Sequence, residues 1–184
     1  MTHKTFFTSD LHFGHKNIVK YCNRPFATVQ EMDDEMIARI NARVSEQDHL
    51  WILGDFAFCT EERIIEILAG IKCAKGLIKS NHDSGKTFKS DVIRDQLSLG
   101  YFPFEHTIKI GDDTIFMKHF PMSTWNKSHL DDNYHLFGHV HGQYRKSLWS
   151  NKTIDVGVDA WDFYPQTWEE LKNAMSTLPQ RVLE

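Results

Sequence analysis

Short apolar runs of strand length alternate with longer amphipathic segments along the chain. Strands are predicted at Thr5–Ser9, His49–Leu53, Gly76–Lys79, Tyr134–Phe137 and Lys152–Val158, and a hairpin where Phe104–Ile110 and Thr114–Lys118 flank a Gly-Asp-Asp turn. Helices are predicted after the capping box at Thr28, from Thr60 to Ala69, around Phe88–Leu97, and from the capping box at Thr167 to about Thr177. The short connections between these elements predict an α/β or α+β fold built in layers.

The composition is ordinary for a folded domain, with one exception. The 184 residues include 21 Lys and Arg against 25 Asp and Glu, which gives a net charge of −4. This length predicts a single domain over residues 1–184, and the acidic balance lacks the basic footprint of a nucleic-acid-binding domain. The exception is histidine, with 11 residues. Histidine is the commonest metal ligand and an acid/base near neutral pH.

The chain also lacks the signals of membrane and secreted proteins. No apolar run reaches the roughly 18 residues of a membrane span, and the N-terminal apolar stretch meets Asp10 too early for a secretory signal. Cys22, Cys59 and Cys73 form no CxxC pair. They predict neither a disulfide framework nor a structural zinc site, so we expect small buried thiols in a reducing cytoplasm.

Five predicted strands end in residues that can bind metal ions. The clusters are Asp10 with His12, Asp55 after Gly54, Asn81–His82–Asp83, His119, and His139 with His141. Since ligands collect at the carboxyl ends of strands in layered α/β folds, five ends that point one way would surround one cleft. The D-x-H and H-x-H spacings would bring both side chains of each pair to that cleft while the chain stays extended.

The chemistry of these residues favours two metal ions over one. Carboxylate, imidazole and amide groups are borderline-to-hard ligands that suit Mn, Fe, Zn or Ni. They are too many for one tetrahedral ion, whereas two ions that share a bridging carboxylate would use them all. Two-metal sites lower the pKa of bound water and hold both the attacking and the leaving oxygen of an in-line displacement.

The five clusters, in this order, resemble the pattern D-x-H, G-D, G-N-H-[DE], H, G-H-x-H of the calcineurin-like metallophosphoesterases. The resemblance spans residues 10 to 141 and implies a four-layer α/β/β/α sandwich, with little room for a separate cap domain. It implies that one ion is held by Asp10, His12, Asp55 and His141, and the other by Asp55, Asn81, His119 and His139. His82 would be the catalytic histidine, and Asp83 would orient its imidazole.

Three further segments resemble a small microbial and phage subgroup of this family. They are Ser9–Ile18, Tyr21–Phe26 and Val156–Trp161. One position departs from the family pattern, because Ser80 stands where glycine usually precedes Asn-His-Asp. A serine there could narrow the site or strain the turn that aims Asn81 and His82, but it removes no ligand.

His15 and Arg24 are the candidate substrate-binding residues. His15 follows His12 by three residues and could reach the rim of the cleft, or it could simply begin a helix. Arg24 could clamp a phosphate through two parallel hydrogen bonds, or it could pair with a surface carboxylate.

The sequence therefore predicts a phosphoesterase with two divalent ions, in which a metal-held hydroxide attacks phosphorus in line. Mn is the favoured ion, with Fe, Zn or Ni as alternatives. A phosphodiester, such as a nucleotide or a short nucleic acid, is slightly favoured as the substrate. A phosphomonoesterase or phosphoprotein phosphatase is the enzymatic alternative, and a non-catalytic interaction scaffold of the same fold is the third.

Overall fold

The structure is a computed structural model that describes residues 3–83, 88 and 90–180. Strands and helices alternate along these residues. Their order is β1 (Thr5–Thr8), α1 (Ile18–Tyr21), α2 (Val29–Arg43), β2 (His49–Ile52), α3 (Glu61–Gly70), β3 (Ala74–Ile78), α4 (Asp91–Asp95), β4 (Gly100–Phe102), β5 (Glu105–Ile110), β6 (Asp113–Lys118), β7 (Asn133–Phe137), α5 (Arg145–Leu148), β8 (Thr153–Asp155), β9 (Gln166–Thr167) and α6 (Trp168–Ser176).

The strands form two sheets. The first has the order β4-β3-β2-β1-β9, in which β1 to β4 run parallel and β9 is antiparallel to β1. The second has the order β5-β6-β7-β8, in which β5 and β6 form the predicted hairpin and β6, β7 and β8 run parallel. The α/β prediction is confirmed at this level. The four-layer sandwich and the single domain without a cap stay predictions.

Each sheet face carries its own apolar cluster, because adjacent residues of a strand point to opposite faces. Phe6 and Leu50 belong to the cluster between the first sheet and helices α2 and α3. Their neighbours Phe7 and Trp51 belong to the other cluster, with Leu136 of the second sheet. Helix α6 joins this second cluster, which therefore holds the two sheets together.

Side-chain caps fix where the long helices begin. Thr28, Thr60 and Thr167 each accept a hydrogen bond from the backbone N–H three residues on, and Thr167 forms the complete capping box with Glu170. These three helix starts are confirmed. Helix α3 ends at Gly70, one residue beyond the predicted end at Ala69, and Ile71 leaves the helix in an extended conformation that needs no left-handed glycine.

The remaining differences from the sequence prediction concern short elements. The helix expected around residues 88–97 is only Asp91–Asp95, and part of the expected range lies outside the described residues. Strand β9 has two residues and α1 and α5 have four each. Such short segments carry too little periodicity to be recognised. None of the helices described has the length and apolar character that a bilayer span requires.

Strand-like pairing continues beyond the carboxyl ends of β1 and β2. His12 N–H donates to the Asp55 carbonyl at 2.9 Å, and Phe13 N–H donates to the Phe56 carbonyl at 2.9 Å. Val158 N–H donates to the Ser9 carbonyl at 3.0 Å. These bonds hold the loops after β1, β2 and β8 next to one another. The loops are where the predicted ligands lie.

Candidate metal centre

Five of the predicted ligands have a left-handed backbone conformation. They are Asp10, His12, Asp55, His139 and His141, with φ between 50° and 73°. Such angles cost roughly 1–3 kcal/mol in residues other than glycine and concentrate at functional sites. The expectation that the D-x-H and H-x-H pairs stay extended is wrong, because the chain turns sharply at each of these residues.

The structure brings six predicted ligands into two groups. Asp10, His12 and His141 form one group, and Asp55, His119 and His139 form the other, with the ligand atoms of each within 4.8 Å of one another. His139 and His141 therefore serve different groups although they are two residues apart. This division is the one that the family resemblance implied.

Asp55 lies between the two groups. Its Oδ2 is 3.3 Å from Nε2 of His12 and 3.5 Å from Nε2 of His119. Burial alone would raise the pKa of this carboxyl, but the facing imidazoles of His119 and His12 hold its pKa well below the usual range. Asp55 is therefore an anion at neutral pH, and it faces both groups.

The orientation of His119 follows from its other ring nitrogen. Nδ1 of His119 is 2.7 Å from the carbonyl oxygen of Leu53. A carbonyl can only accept a hydrogen bond, so Nδ1 carries a proton and Nε2 is the ring atom that faces Asp55. A backbone carbonyl behind a histidine is the usual arrangement behind a metal-binding imidazole.

Several buried polar atoms at this place lack a hydrogen-bond partner among the described residues. They include both ring nitrogens of His12, Nε2 of His119 and Oδ1 of Asp55. A buried polar atom without a partner costs about 1–3 kcal/mol. Imidazole nitrogens and carboxylate oxygens are also the ligands that first-row divalent ions prefer. The residues therefore fit a pair of such ions.

Two motif glycines make room for the ligands. A Cβ at Gly138 would lie 2.1 Å from Ser9 Oγ and 2.4 Å from Asp10 Oδ2. A Cβ at Gly54, where φ is +89°, would lie 2.8 Å from His119 Nδ1. The glycine before Asp55 and the glycine before His139 are therefore required by close approach of the ligands.

The third cluster contains two exposed residues and a buried one. Asn81 and His82 are exposed, and the His82 ring centroid lies 6.2 Å from that of His12. Asp83 is buried and accepts hydrogen bonds from the backbone N–H groups of Asp55 at 3.0 Å and Phe56 at 3.0 Å. The expectation that Asp83 orients the His82 imidazole therefore does not fit, because its carboxylate is used to hold the loop that carries Asp55.

Of the two effects considered for Ser80, a narrower site or a strained turn, the structure does not show strain, because the serine hydroxyl stabilises the turn. Its hydroxyl donates to Asp83 Oδ2 at 2.7 Å and accepts from the N–H groups of His82 and Asp83 at 3.2 Å. The φ of Ser80 is not positive, so the turn does not need the conformational freedom of glycine at this position. The serine hydroxyl instead caps the turn through its local hydrogen bonds.

Arg24 does not lie where a substrate could meet it. Its side chain is buried, and its guanidinium donates to the Asp159 carboxylate and to the backbone carbonyls of Asp10 and Leu11. The predicted phosphate clamp is therefore a misassignment, because those protein partners already occupy the donors. Arg24 does pair with a carboxylate, as the alternative interpretation held, but the carboxylate of Asp159 is buried and not on the surface.

His141 is held through the same carboxylate. Its Nδ1 is 2.7 Å from Asp159 Oδ2, and its Nε2 is 3.9 Å from Asp10 Oδ1. Burial alone would lower the pKa of His141, but the hydrogen bond to Asp159 and the nearby Asp10 raise it to about 10. Cys22, His141 and Asp159 also have possible ligand atoms within 4.8 Å of one another. In this third group, however, the Asp159 carboxylate already accepts two hydrogen bonds from the Arg24 guanidinium.

His15 lies beside the first ligand group. Its ring stacks on Phe58 with centroids 4.3 Å apart and is 5.5 Å from the His12 ring. Burial and the neighbouring His12 lower its pKa. Its Nδ1 is buried without a hydrogen-bond partner among the described residues. The substrate-binding role of His15 stays a prediction, with a position that suits it.

Sequence reasoning missed two carboxylates at and just after the end of β8, those of Asp155 and Asp159. Asp155 at the end of β8 accepts from the N–H groups of Gly142 at 2.8 Å and Gly157 at 2.7 Å. Burial and the nearby Asp10 raise its pKa. Asp159 follows four residues later. A signal was present for Asp159, because it follows the predicted strand Lys152–Val158 and residues that can bind metal ions follow the strands at the other clusters.

Comparison with known proteins gives the fold more clearly than the activity. No family model matches the chain. The chain is 37% identical over 89 residues to the protein MJ1445 of Methanocaldococcus jannaschii, a match that covers 47% of this chain and 51% of that protein. It is 28% identical to the Gene 66 protein of Mycobacterium phage L5, over 85% of this chain and 87% of that protein. The chain thus spans about half the length of the archaeal relative.

Among solved structures, the protein AQ665 of Aquifex aeolicus has the same fold. The TM-score is 0.72 at 20% identity, and the match covers 94% of this chain and 100% of that one. AQ665 is described as a protein of unknown function. Yfce, a phosphoesterase from E. coli, matches with a TM-score of 0.38 at 17% identity. We base no conclusion on so low a score.

Proposed function

We propose that this chain is a phosphoesterase that depends on two divalent metal ions. The observation that carries the proposal is the position of Asp55, whose Oδ2 lies 3.3 Å from His12 of one ligand group and 3.5 Å from His119 of the other. A shared carboxylate between two ligand groups is what a closely spaced pair of ions requires. The order of the five clusters, which resembles that of the calcineurin-like metallophosphoesterases, supports the same proposal and a four-layer sandwich.

The ligands would divide as the two groups divide. Asp10, His12 and His141 would hold one ion, and His119, His139 and Asn81 the other, with Asp55 shared between them. Bound divalent ions, of which we favour Mn, would supply an activated water and neutralise charge on the phosphoryl group. The buried ring nitrogens of His12 and His119 that lack a hydrogen-bond partner could then bind these ions.

His82 would act from the exposed side of this centre. Its imidazole is exposed, and its ring centroid is 5.1 Å from that of Phe58 and 6.2 Å from that of His12. A residue at this place can reach a substrate that approaches from solvent. We assign to it the transfer of a proton to the leaving oxygen, or a hydrogen bond to the phosphoryl group.

Two exposed aromatic rings support a diester as the substrate. Phe58 is 37% exposed and stacks on His12 of the first group, with ring centroids 5.3 Å apart. Phe120 is 40% exposed and lies 4.5 Å from His139 of the second group. A phosphate between them would have an aromatic surface on either side, where the bases of a nucleotide or a short nucleic acid can stack.

Hydrolysis of bis-aryl and mono-aryl phosphate with added Mn²⁺ tests this proposal. We expect turnover of the bis-aryl ester to exceed that of the mono-aryl ester. In Asp55→Asn, metal affinity and turnover should each fall by more than about a hundredfold. Substitution of a residue that only supports a ligand already lowers metal affinity or activity by about 10–100-fold. His82→Ala should keep the metal and lose about 10²–10⁴-fold in turnover.

Asp48→Asn is the matched control for Asp55→Asn. Asp48 is also a buried aspartate, but it precedes β2 whereas Asp55 follows it. It should keep both metal and turnover. Full turnover in Asp55→Asn, or a wild-type chain that binds metal but cleaves neither ester, would contradict the proposal. A faster mono-aryl reaction would instead favour the monoesterase alternative.

A further inference from the structure

Arg24 connects two parts of the chain that are far apart in sequence. Its Nε donates to Asp159 Oδ1 at 2.8 Å, and its Nη2 donates to Asp159 Oδ2 at 2.8 Å. These two parallel bonds form the planar, bidentate pair that arginine makes with a carboxylate. Both side chains are buried, so the pair is shielded from water.

The same Asp159 carboxylate determines how His141 is oriented. Oδ2 of Asp159 is 2.7 Å from Nδ1 of His141. A carboxylate that already accepts from arginine is ionised and can only accept, so Nδ1 of His141 carries a proton. The ring is thereby turned with Nε2 towards Asp10 Oδ1, at 3.9 Å. Nε2 is the atom that would bind an ion.

Arg24 also fixes the backbone of the other residues in this ligand group. Its Nη2 donates to the Asp10 carbonyl at 2.7 Å, and its Nη1 donates to the Leu11 carbonyl at 3.0 Å. One guanidinium thus holds the Asp10–Leu11 segment and, through Asp159, the ring of His141. The second group has its main supports elsewhere, such as the Leu53 carbonyl behind His119, and shares one contact with the first group, from His139 N–H to the Asp10 carboxylate.

We propose that Arg24 and Asp159 are positioning residues chiefly for one of the two metal sites, the one formed by Asp10, His12 and His141. This inference rests on the proposed function, because it assigns a role towards ions held by these ligands. It gives a role to one residue in each of two segments that resemble the microbial and phage subgroup, Arg24 in Tyr21–Phe26 and Asp159 in Val156–Trp161. The two residues act through His141 and Asp10 and do not contact the substrate.

Replacement of Asp159 by asparagine should break this arrangement although the shape is conserved. An amide has one oxygen and one nitrogen, whereas both carboxylate oxygens accept hydrogen bonds here. If the amide nitrogen takes the Oδ1 position, it faces Nε of Arg24. If it takes the Oδ2 position, it faces Nη2 of Arg24 and Nδ1 of His141. Two donors meet in either case.

Titration of the metal-free chain with Mn²⁺ is the first test. The wild type should bind two ions, and Asp159→Asn should bind one ion as the wild type does and the other 10–100-fold more weakly. The control is Asp113→Asn, which removes the negative charge of a carboxylate that accepts hydrogen bonds from Lys172 and Trp168. Asp113 begins β6, at the end of the strand away from the ligands. It should bind both ions as the wild type does. Equal weakening of both ions in Asp159→Asn, or no weakening, would overturn the inference.

Nitrogen-15 NMR of the metal-free chain is the second test, and it does not depend on metal binding. The Nδ1 proton of His141, identified by its loss in His141→Gln, should exchange slowly with water. It should exchange faster in Asp159→Asn, because the amide cannot pair with both Arg24 and His141 as the carboxylate does, and it should stay protected in Asp113→Asn. An unprotected Nδ1 proton in the wild type, or an unchanged one in Asp159→Asn, would contradict the positioning role. A protected proton in a chain that binds no metal would instead contradict the proposed function.

Arg24→Lys provides a second variant in case Asp159→Asn does not fold. Lysine keeps the positive charge beside Asp159 but cannot make the two parallel bonds. We expect the Nδ1 proton of His141 to exchange faster than in the wild type and one ion to bind more weakly, with the second ion unaffected. Wild-type exchange and binding of both ions in Arg24→Lys would show that Arg24 does not position this site.

Discussion

At the scale of single residues, the candidate ligands hold backbone angles that must be stabilised from outside. Left-handed residues persist only where their surroundings over-determine them. Here Asp10 N–H donates to the Gly54 carbonyl at 3.1 Å, His12 N–H donates to the Asp55 carbonyl at 2.9 Å, and His139 N–H donates to both oxygens of Asp10 at 3.0 Å. The ligand loops therefore hold one another in place before any ion binds.

Alanine substitutions at Gly138 and at Gly70 should change the free energy of unfolding in opposite directions. Gly138→Ala should destabilise the fold by about 1–3 kcal/mol and weaken metal binding, because the added methyl group collides with Ser9 and Asp10. Gly70→Ala, the control, should stabilise it by about 0.5–1 kcal/mol, since alanine favours the helix and the nearest atom, of Ile37, is 3.7 Å away. Urea denaturation measures both. A similar change in the two variants would show that packing at Gly138 is loose.

At the scale of elements, caps and alternation made much of the fold predictable from the sequence. The threonine caps gave the starts of α2, α3 and α6, and the apolar runs gave β1, β2, β3, β6 and β7 within a few residues. Strand β4 and strand β9 depend on partners that are distant in sequence, such as Gly76 paired with Gly100. Local periodicity does not reveal such pairing.

Asp48 joins the amino ends of β1 and β2 and predicts how stability changes with pH. It accepts from Lys4 N–H at 2.7 Å, Ser45 N–H at 3.0 Å and the Ser45 hydroxyl at 2.7 Å. Burial alone would raise its pKa, but these bonds lower it below the usual value. A lowered folded-state pKa contributes stability above the unfolded pKa of about 3.9, and that contribution is lost as pH falls through the folded value.

Asp48→Asn should therefore lower the free energy of unfolding by about 1–3 kcal/mol at pH 7 and by less below pH 4. Chemical denaturation at several pH values measures the difference from wild type. Glu46→Gln is the control for the loss of one negative charge in the same turn, where Glu46 is exposed. A difference for Asp48→Asn that stays constant from pH 7 to pH 3 would contradict this assignment.

At the scale of the whole molecule, both sheets contribute to the candidate metal centre. Asp10, His12 and Asp55 follow strands of the first sheet, whereas His119, His139 and His141 follow strands of the second. The sequence predicted these residues because each lies just after a strand. It did not predict Asp159 behind His141 or the true partners of Arg24 and Asp83, because buried side chains meet through tertiary packing that no local pattern records.

Because each proposed ion would have ligands from both sheets, metal should stabilise the whole fold. With free Mn²⁺ at a hundred times its dissociation constant, one site adds about 2.7 kcal/mol to the free energy of unfolding. We expect Mn²⁺ to raise the midpoint of thermal unfolding and a chelator to reverse the increase. The shift should be lost in Asp55→Asn and kept in Asp48→Asn. An unmoved midpoint in the wild type would contradict binding between the sheets.

The long sequence separation of the Arg24 contact has a consequence for the order of folding. Arg24 and Asp159 are 135 residues apart, and the backbone of His139 meets a side chain 129 residues earlier. Contacts across such distances form late, because the entropy of a long loop is lost before the contact gives anything in return. In a nascent chain, the group of Asp10, His12 and His141 therefore reaches its final arrangement only after residue 159 has left the ribosome. Full affinity for the ion at that group would then come at the end of folding.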